Sequence, residues 1–164
     1  MKAATTRSEN YDDVPLSALL RAALTTYAGA IDRAQAAIGC DDLPRTGNFI
    51  ISAMNWSDAS LEAVIRWMGV SKQAVGQAVD TLVVRGYLKR SHDTKDRRRV
   101  NLCLTERGRA AGAAARAAIE RVDQELRKRV GSPRVAEARA TLAGLIELGR
   151  HHRLAHPTPE GDSW

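Results

Sequence analysis

From Leu16 the apolar residues Leu16, Leu19, Leu20, Ala23, Leu24, Tyr27, Ile31, Ala34 and Ile38 recur at steps of three and four, the period of one helix face. This predicts a long amphipathic helix ended by Gly39. Pro44 suits the first turn of a second, shorter helix, with Phe49, Ile50, Ala53 and Met54 as its stripe. Ser60 is placed to cap a third helix, with Leu61, Val64, Ile65 and Met68 before Gly69. Ser71 is placed to cap a fourth, with Val75, Ala78, Val79 and Leu82 before Gly86. After Gly86 the texture changes. Tyr87-Leu88-Lys89-Arg90, a polar stretch from Ser91 to Arg98, and then Val100, Leu102 and Leu104 in alternation predict a β-hairpin with a charged tip. Thr105 opens another long helix bearing Ala111, Ala115, Ala118, Ile119, Val122, Leu126 and Val130, closed by Gly131. Ser132 and Pro133 start a last one with Val135, Ala138, Leu142, Leu145 and Ile146.

The predicted fold class is mainly α with a small β-hairpin wing. Helix, tight turn, helix, hairpin is the order of a winged helix-turn-helix, here spanning 44–104. The flanking helices, 16–43 and 105–150, carry more apolar surface than so small a unit needs to bury, and are expected to form a dimerisation region. Leu20, Leu24, Ile119, Leu126, Leu142, Leu145 and Ile146 would interlock there across a two-fold axis. Ala111, Gly112, Ala114, Ala115, Ala118 and Gly144 would permit close helix approach. Residues 1–15 are expected to be a flexible arm, and 151–164 a flexible tail with little to bury.

Charge narrows the class of partner. The chain has 25 Lys plus Arg against 19 Asp plus Glu. The excess is concentrated: Val84 to Arg109 holds nine basic residues and three acids, while the rest balances at 16 against 16. A focused basic field is the footprint of phosphate binding. On the fourth helix Val75, Ala78, Val79 and Leu82 face inward and leave Lys72, Gln73, Gly76 and Gln77 outward. Gln pairs bidentately with adenine, Lys donates to guanine or phosphate, and Ser71 at the helix start meets a phosphate. By itself this stretch is equally readable as a solvated polar face. The hairpin tip adds Lys95, Arg97 and Arg98 beside Asp96, a set in which Asp96 can hold one Arg while another points into a narrow, electronegative minor groove.

The stretch from Ser60 to Gly108, with its core in VSKQAVGQAVDTLVVRGYLKR and DRRRVNLCLTERG, resembles the winged-helix domain of the MarR (multiple antibiotic resistance) family of bacterial transcription regulators. Asp96-x-Arg98 followed by Leu104-Thr105-x-x-Gly108 carries most of the likeness, and the long helices on either side match that family in order and length. The resemblance implies that Arg98 enters the minor groove, that Asp96 orients it, and that Ser71 to Arg85 reads the major groove. It implies a homodimer on a palindromic operator, usually a repressor released by a small aromatic or phenolic ligand, a metal or an oxidant. With Ser60, Ser71, Lys72, Gln73, Gln77, Lys95, Arg97 and Arg98, it gives a candidate set for double-stranded DNA. It also places a ligand site at the junction of dimerisation helices and winged helix, where Tyr27, Met54, Trp56 and Trp67 are the candidate lining, with core packing as the competing role. The chain departs from the family pattern at Ile65, Trp67, Gly76, Gln77 and Val83-Val84. The last of these hints that Val84 is covered by something.

Other chemistry is weakly signalled. Cys40 follows a helix end and precedes Asp41 and Asp42, an environment that raises a thiol pKa and disfavours peroxide sensing. Cys103 is opposite in phase to Leu102 and Leu104. His151, His152 and His156 lack acids or Cys at fixed spacing, so no metal and no cofactor is expected. No nucleophile-base pair or phosphate-binding Gly loop is legible, which argues against an enzyme. The first fifteen residues have no signal-peptide core and no run approaches eighteen apolar residues, so a cytoplasmic protein with no membrane partner is expected. Two readings result: a ligand-responsive DNA-binding regulator, and a dimeric winged-helix adaptor that binds a protein through Val83 and Val84. DNA binding weakens steeply with salt, and an apolar protein contact does not.

Overall fold

The computed structural model describes residues 11–56, 72–92 and 100–155. Its elements are α1 (Leu16–Ala36), α2 (Arg45–Trp56), α3 (Lys72–Val84), β1 (Leu88–His92), β2 (Val100–Leu104), α4 (Glu106–Val130) and α5 (Ser132–Ala155). The helix expected to follow Ser60 and the tip of the hairpin lie outside the described residues.

Two of the predicted glycine stops act by the same geometry. Gly39 and Gly86 each have φ +72°, open to glycine at little cost. After α1, the Cys40 amide donates to the Gln35 carbonyl at 2.9 Å and the Gly39 amide to Ala36 at 3.1 Å. After α3, Tyr87 donates to Leu82 at 2.8 Å and Gly86 to Val83 at 3.0 Å. These paired bonds satisfy carbonyls that a helix end leaves open. At the start of α4 the Thr105 hydroxyl accepts from the Gly108 amide at 3.0 Å, the N-cap expected from sequence.

The winged-helix core contains Ile50 and Ile51 of α2, Val75, Val79 and Leu82 of α3, and Tyr87 and Leu88 at the start of the hairpin, all buried. The antiparallel hairpin pairs Leu88 with Leu104 and Arg90 with Leu102, which lays Leu102 and Leu104 against that core. Gln35, 2 % exposed, ties three helices together. Its amide nitrogen donates to Asn48 Oδ1 at 2.5 Å and to the Ala111 carbonyl at 3.3 Å, and its oxygen accepts from Asn48 Nδ2 at 3.1 Å. A buried amide with all these partners fixes helix register as well as stability.

The structure refines three sequence expectations. Ala111, Gly112, Ala115 and Ala118 are buried within the chain; a Cβ on Gly112 would meet Ile51 and Asn55 of α2 at 3.2 Å. These small residues permit the close helix approach expected of them, and the approach is between α4 and its own neighbours within the chain. Second, α5 runs to Ala155, five residues into the stretch expected to be a flexible tail, because backbone hydrogen bonding sustains a helix that buries little. Third, Tyr11 accepts from the Val14 amide at 3.0 Å, so a turn precedes α1 inside the expected N-terminal arm. The stripe predicted for α1 is not closed over by this chain: Leu16 is 52 %, Leu24 65 % and Ile38 48 % exposed.

Candidate nucleic-acid interface

On α3 the two faces separate as the 3.6-residue period requires. Val75, Val79 and Leu82 are buried, Ala78 is half-buried, and Gln73, Gly76 and Gln77 are exposed. Gly76 has open space where a Cβ would stand, so among the described residues no neighbouring helix accounts for the glycine. Lys72 is the first residue of the helix. Ser60, Trp67, Ser71, Lys95, Asp96, Arg97 and Arg98 lie outside the described residues.

Four of the nine basic residues counted between Val84 and Arg109 turn to partners in the chain itself. Arg90 pairs with Asp80 of α3, and Arg109 donates to the Leu104 carbonyl at 2.8 Å. Arg85 donates to the Asp42 carbonyl, and Arg107 pairs with the Asp42 carboxylate at 2.8 Å. The field offered to a polyanion is therefore smaller than the sequence count, because two of these arginines face acids that sequence distance hides. The Tyr87 hydroxyl also donates to Asp42, and this bond, with Arg107 beside it, holds the Asp42 carboxyl below the usual carboxylate range. Burial, then the Asp42 hydrogen bond, push the Tyr87 phenol well above its ordinary value.

Cys40 is buried and is in no disulfide among the described residues. The groups against its thiol are the Tyr87 hydroxyl and the Arg107 guanidinium, so its surroundings are not the purely acidic ones its sequence neighbours suggest. Cys103 is half-buried, 3.3 Å from the Ser91 hydroxyl across the hairpin. Among the described residues no three His, Cys, Asp or Glu side chains gather in a way that could hold a metal ion.

Of the candidate ligand residues, Tyr27 and Met54 are placed apart from a groove between α1 and α4, and Trp67 and the Trp56 side chain lie outside the described residues. Tyr27 donates to Asp123 at 2.6 Å, and Asp123 also pairs with Arg139 at 2.9 Å, which links α1, α4 and α5. Met54 packs against the winged-helix core. A groove of about 880 Å³ between α1 and α4 is lined by Ala30, Arg33, Ala118, Val122 and Leu126 among others, and by neither Tyr27 nor Met54. Tyr27 gives a direct test of its bond. Burial, then the hydrogen bond to Asp123, push its phenol from 10.0 up to about 12. The folded state holds this proton more tightly, so the stabilisation is complete below pH 10 and is lost as pH rises toward 12. Urea midpoints measured from pH 9 to 12 should fall less steeply for Tyr27→Phe than for the parent; identical slopes would show that Tyr27 is not held this way.

Gln35 and Arg107 escaped the sequence reading. Gln35 adjoins Ala34 on the apolar side of α1, and a polar residue there is the one sign of a buried amide. Arg107 was counted only as a charge.

The MarR family model matches residues 57–99, which span the expected third helix, α3, β1 and the tip of the hairpin. No sequence among the curated proteins matches. Solved structures match over most of the chain. A MarR-family protein of Mycobacterium tuberculosis in complex with salicylic acid is 24 % identical, with TM-score 0.56 over 83 % of this chain and 99 % of that one. CouR of Rhodococcus jostii, bound to p-coumaroyl-CoA, is 21 % identical, with TM-score 0.59 over 85 % and 96 %. FabT of Streptococcus pneumoniae, in complex with DNA, is 17 % identical, with TM-score 0.68 over 82 % and 94 %. These structural likenesses are of fold. No helix among the described residues is long and apolar enough to cross a membrane. With the MarR family model matching the winged-helix segment and the same fold continuing through the long helices on both sides, the chain carries a MarR-type winged helix within the fold these structures share.

Proposed function

We propose that this protein is a sequence-specific DNA-binding transcription regulator that reads a palindromic operator as a homodimer and acts as a repressor in the cytoplasm. The observation that carries the reading is the face of α3: Gln73, Gly76 and Gln77 are exposed directly opposite the buried Val75, Val79 and Leu82, beside a wing. Two exposed glutamines flanking a glycine let a helix lie close to base edges and donate to them. Asp96 and Arg98 complete the set in the roles the family resemblance gives them. A second copy accounts for apolar side chains the chain leaves open, with Leu24 65 %, Leu145 44 % and Ile146 44 % exposed. The aromatic ligands seen with two of the fold relatives support response to a small aromatic molecule.

Selection from a random DNA pool tests class and operator together, since enrichment of a palindrome is the expected result. On that operator Gln77→Ala should relax preference at one position per half-site, costing roughly 1 to 3 kcal/mol if its contact is bidentate. Arg98→Ala should weaken binding more than Lys95→Ala, whose contact is a screened phosphate pair. Equal losses at Arg98 and Lys95, or a uniform loss at Gln77, would contradict these roles.

A second reading, a protein-binding adaptor, is favoured by Val84, which is 87 % exposed at the end of α3. The two separate in salt: affinity for DNA falls steeply as ionic strength rises, and an apolar contact hardly responds.

A further inference from the structure

We propose that Arg107 is the positioning residue that fixes the angle between the recognition helix α3 and the dimerisation helices, and through it the spacing at which a dimer reads its two half-sites. This rests on the dimeric DNA-binding reading above. Arg107 is the second residue of α4, and its guanidinium joins four segments. Nη1 donates to the Arg85 carbonyl at 2.7 Å, in the turn that ends α3. Nη2 donates to the Gly39 carbonyl at 3.1 Å, just past α1, and to Asp42 Oδ1 at 2.8 Å in the loop to α2. The same group lies 4.3 Å over the ring of Tyr87 at the root of the hairpin. Asp42 is the second leg of the joint, since it also receives Arg85 through its carbonyl and the Tyr87 hydroxyl through its carboxylate.

The chemistry of the side chain matters here. A planar guanidinium presents its donors in fixed directions, so bonds to two carbonyls and a carboxylate set an orientation that a lysine ammonium, a point charge on a flexible stem, does not. The charged groups of the joint lie at the edge of the apolar core, which they meet at Tyr87. Arg107 and Asp42 are 39 % and 42 % exposed at their side chains, while Ile50, Ile51, Val75, Leu82 and Leu88 close beneath them by apolar contact. Removing the guanidinium frees the angle and leaves that core packed.

The lever is long enough to matter. The 13 residues of α3 span about 20 Å at about 1.5 Å each. The joint holds the C-terminal end, so a swing of about 10° moves the other end by about 3 Å, near the rise of one base pair. In a symmetric dimer the two half-sites shift together.

The test uses the full-length protein, its selected palindrome, versions with the central spacer altered by one and two base pairs, and a duplex holding one half-site. Wild type should prefer one spacer sharply. In Arg107→Leu the ratio of affinities between the best spacer and one altered by two base pairs should shrink by about tenfold, while half-site affinity and oligomeric state stay as in wild type. Arg107→Lys should be flattened as well, and it carries the test should the Leu variant not fold. This ratio is independent of the active fraction, so a merely structural role leaves it unmoved. A wild-type ratio in the folded variants overturns the inference and leaves the dimeric reading standing. Indifference of the wild type itself to spacer overturns the dimeric reading, and the inference with it.

Discussion

Gly108→Ala should destabilise the protein by about 3 kcal/mol or more, at the upper end of overpacking penalties, read as a shift in urea midpoint. A Cβ at this position would stand 2.2 Å from the Tyr87 carbonyl oxygen and 3.1 Å from Leu104 Cδ2. The carbonyl has no freedom to retreat, because it accepts from the Thr105 amide at 3.0 Å and from the Thr105 hydroxyl at 3.0 Å. Relief therefore requires the first turn of α4 to move away by on the order of 1 Å, which strains the N-cap bond from Gly108 to Thr105. The Leu104-Thr105-x-x-Gly108 pattern thereby gains a physical account: Thr105 caps the helix and bonds back to the hairpin root, and Gly108 makes room for that root. Gly76→Ala is the contrast. It meets open space on α3 and should stabilise the helix by about 1 kcal/mol. Equal effects at the two glycines would refute the steric account.

Ending the chain at Gly131 should abolish dimerisation and lower affinity for the palindrome at least about a hundredfold, the avidity that two linked half-sites supply. Removing α5 costs the remaining chain little of its own core. Among its described side chains only Val135 is buried, and Leu142, Leu145, Ile146 and Leu148 are 38 %, 44 %, 44 % and 61 % exposed. The exposed apolar face of the helix is what a second copy would cover under the proposed dimeric reading, in which two recognition helices would sit about 34 Å apart, as two-fold reading of DNA requires. Light scattering with a DNA titration on both chains provides the measurement. A monomeric full-length protein, or a truncated one that still binds the palindrome tightly, would sink the prediction. Residual binding of the short chain should be weak, non-specific and steeply salt-dependent.

What the sequence determined by itself is local. Gly39, Gly86, Thr105 and Gly131 mark helix ends because capping is settled within one turn by bonds between residues three to five apart. The inward face of α3 and the alternation of Leu102 and Leu104 follow from the fixed periods of helix and strand, and the order of those elements was enough to place Gln73 and Gln77 on an exposed surface. The tertiary structure decided whatever depends on residues far apart in the chain. Arg107 meets Asp42 across 65 positions and Gln35 meets the Ala111 carbonyl across 76, and no spacing rule links such pairs. The same distance explains why arginines counted as a basic field are bonded within the chain and why the close approach allowed by the Ala and Gly stripe could not be assigned to a particular neighbour. A side chain's charge and size are written in the sequence, but its partner is chosen by which helix ends the packed core brings together.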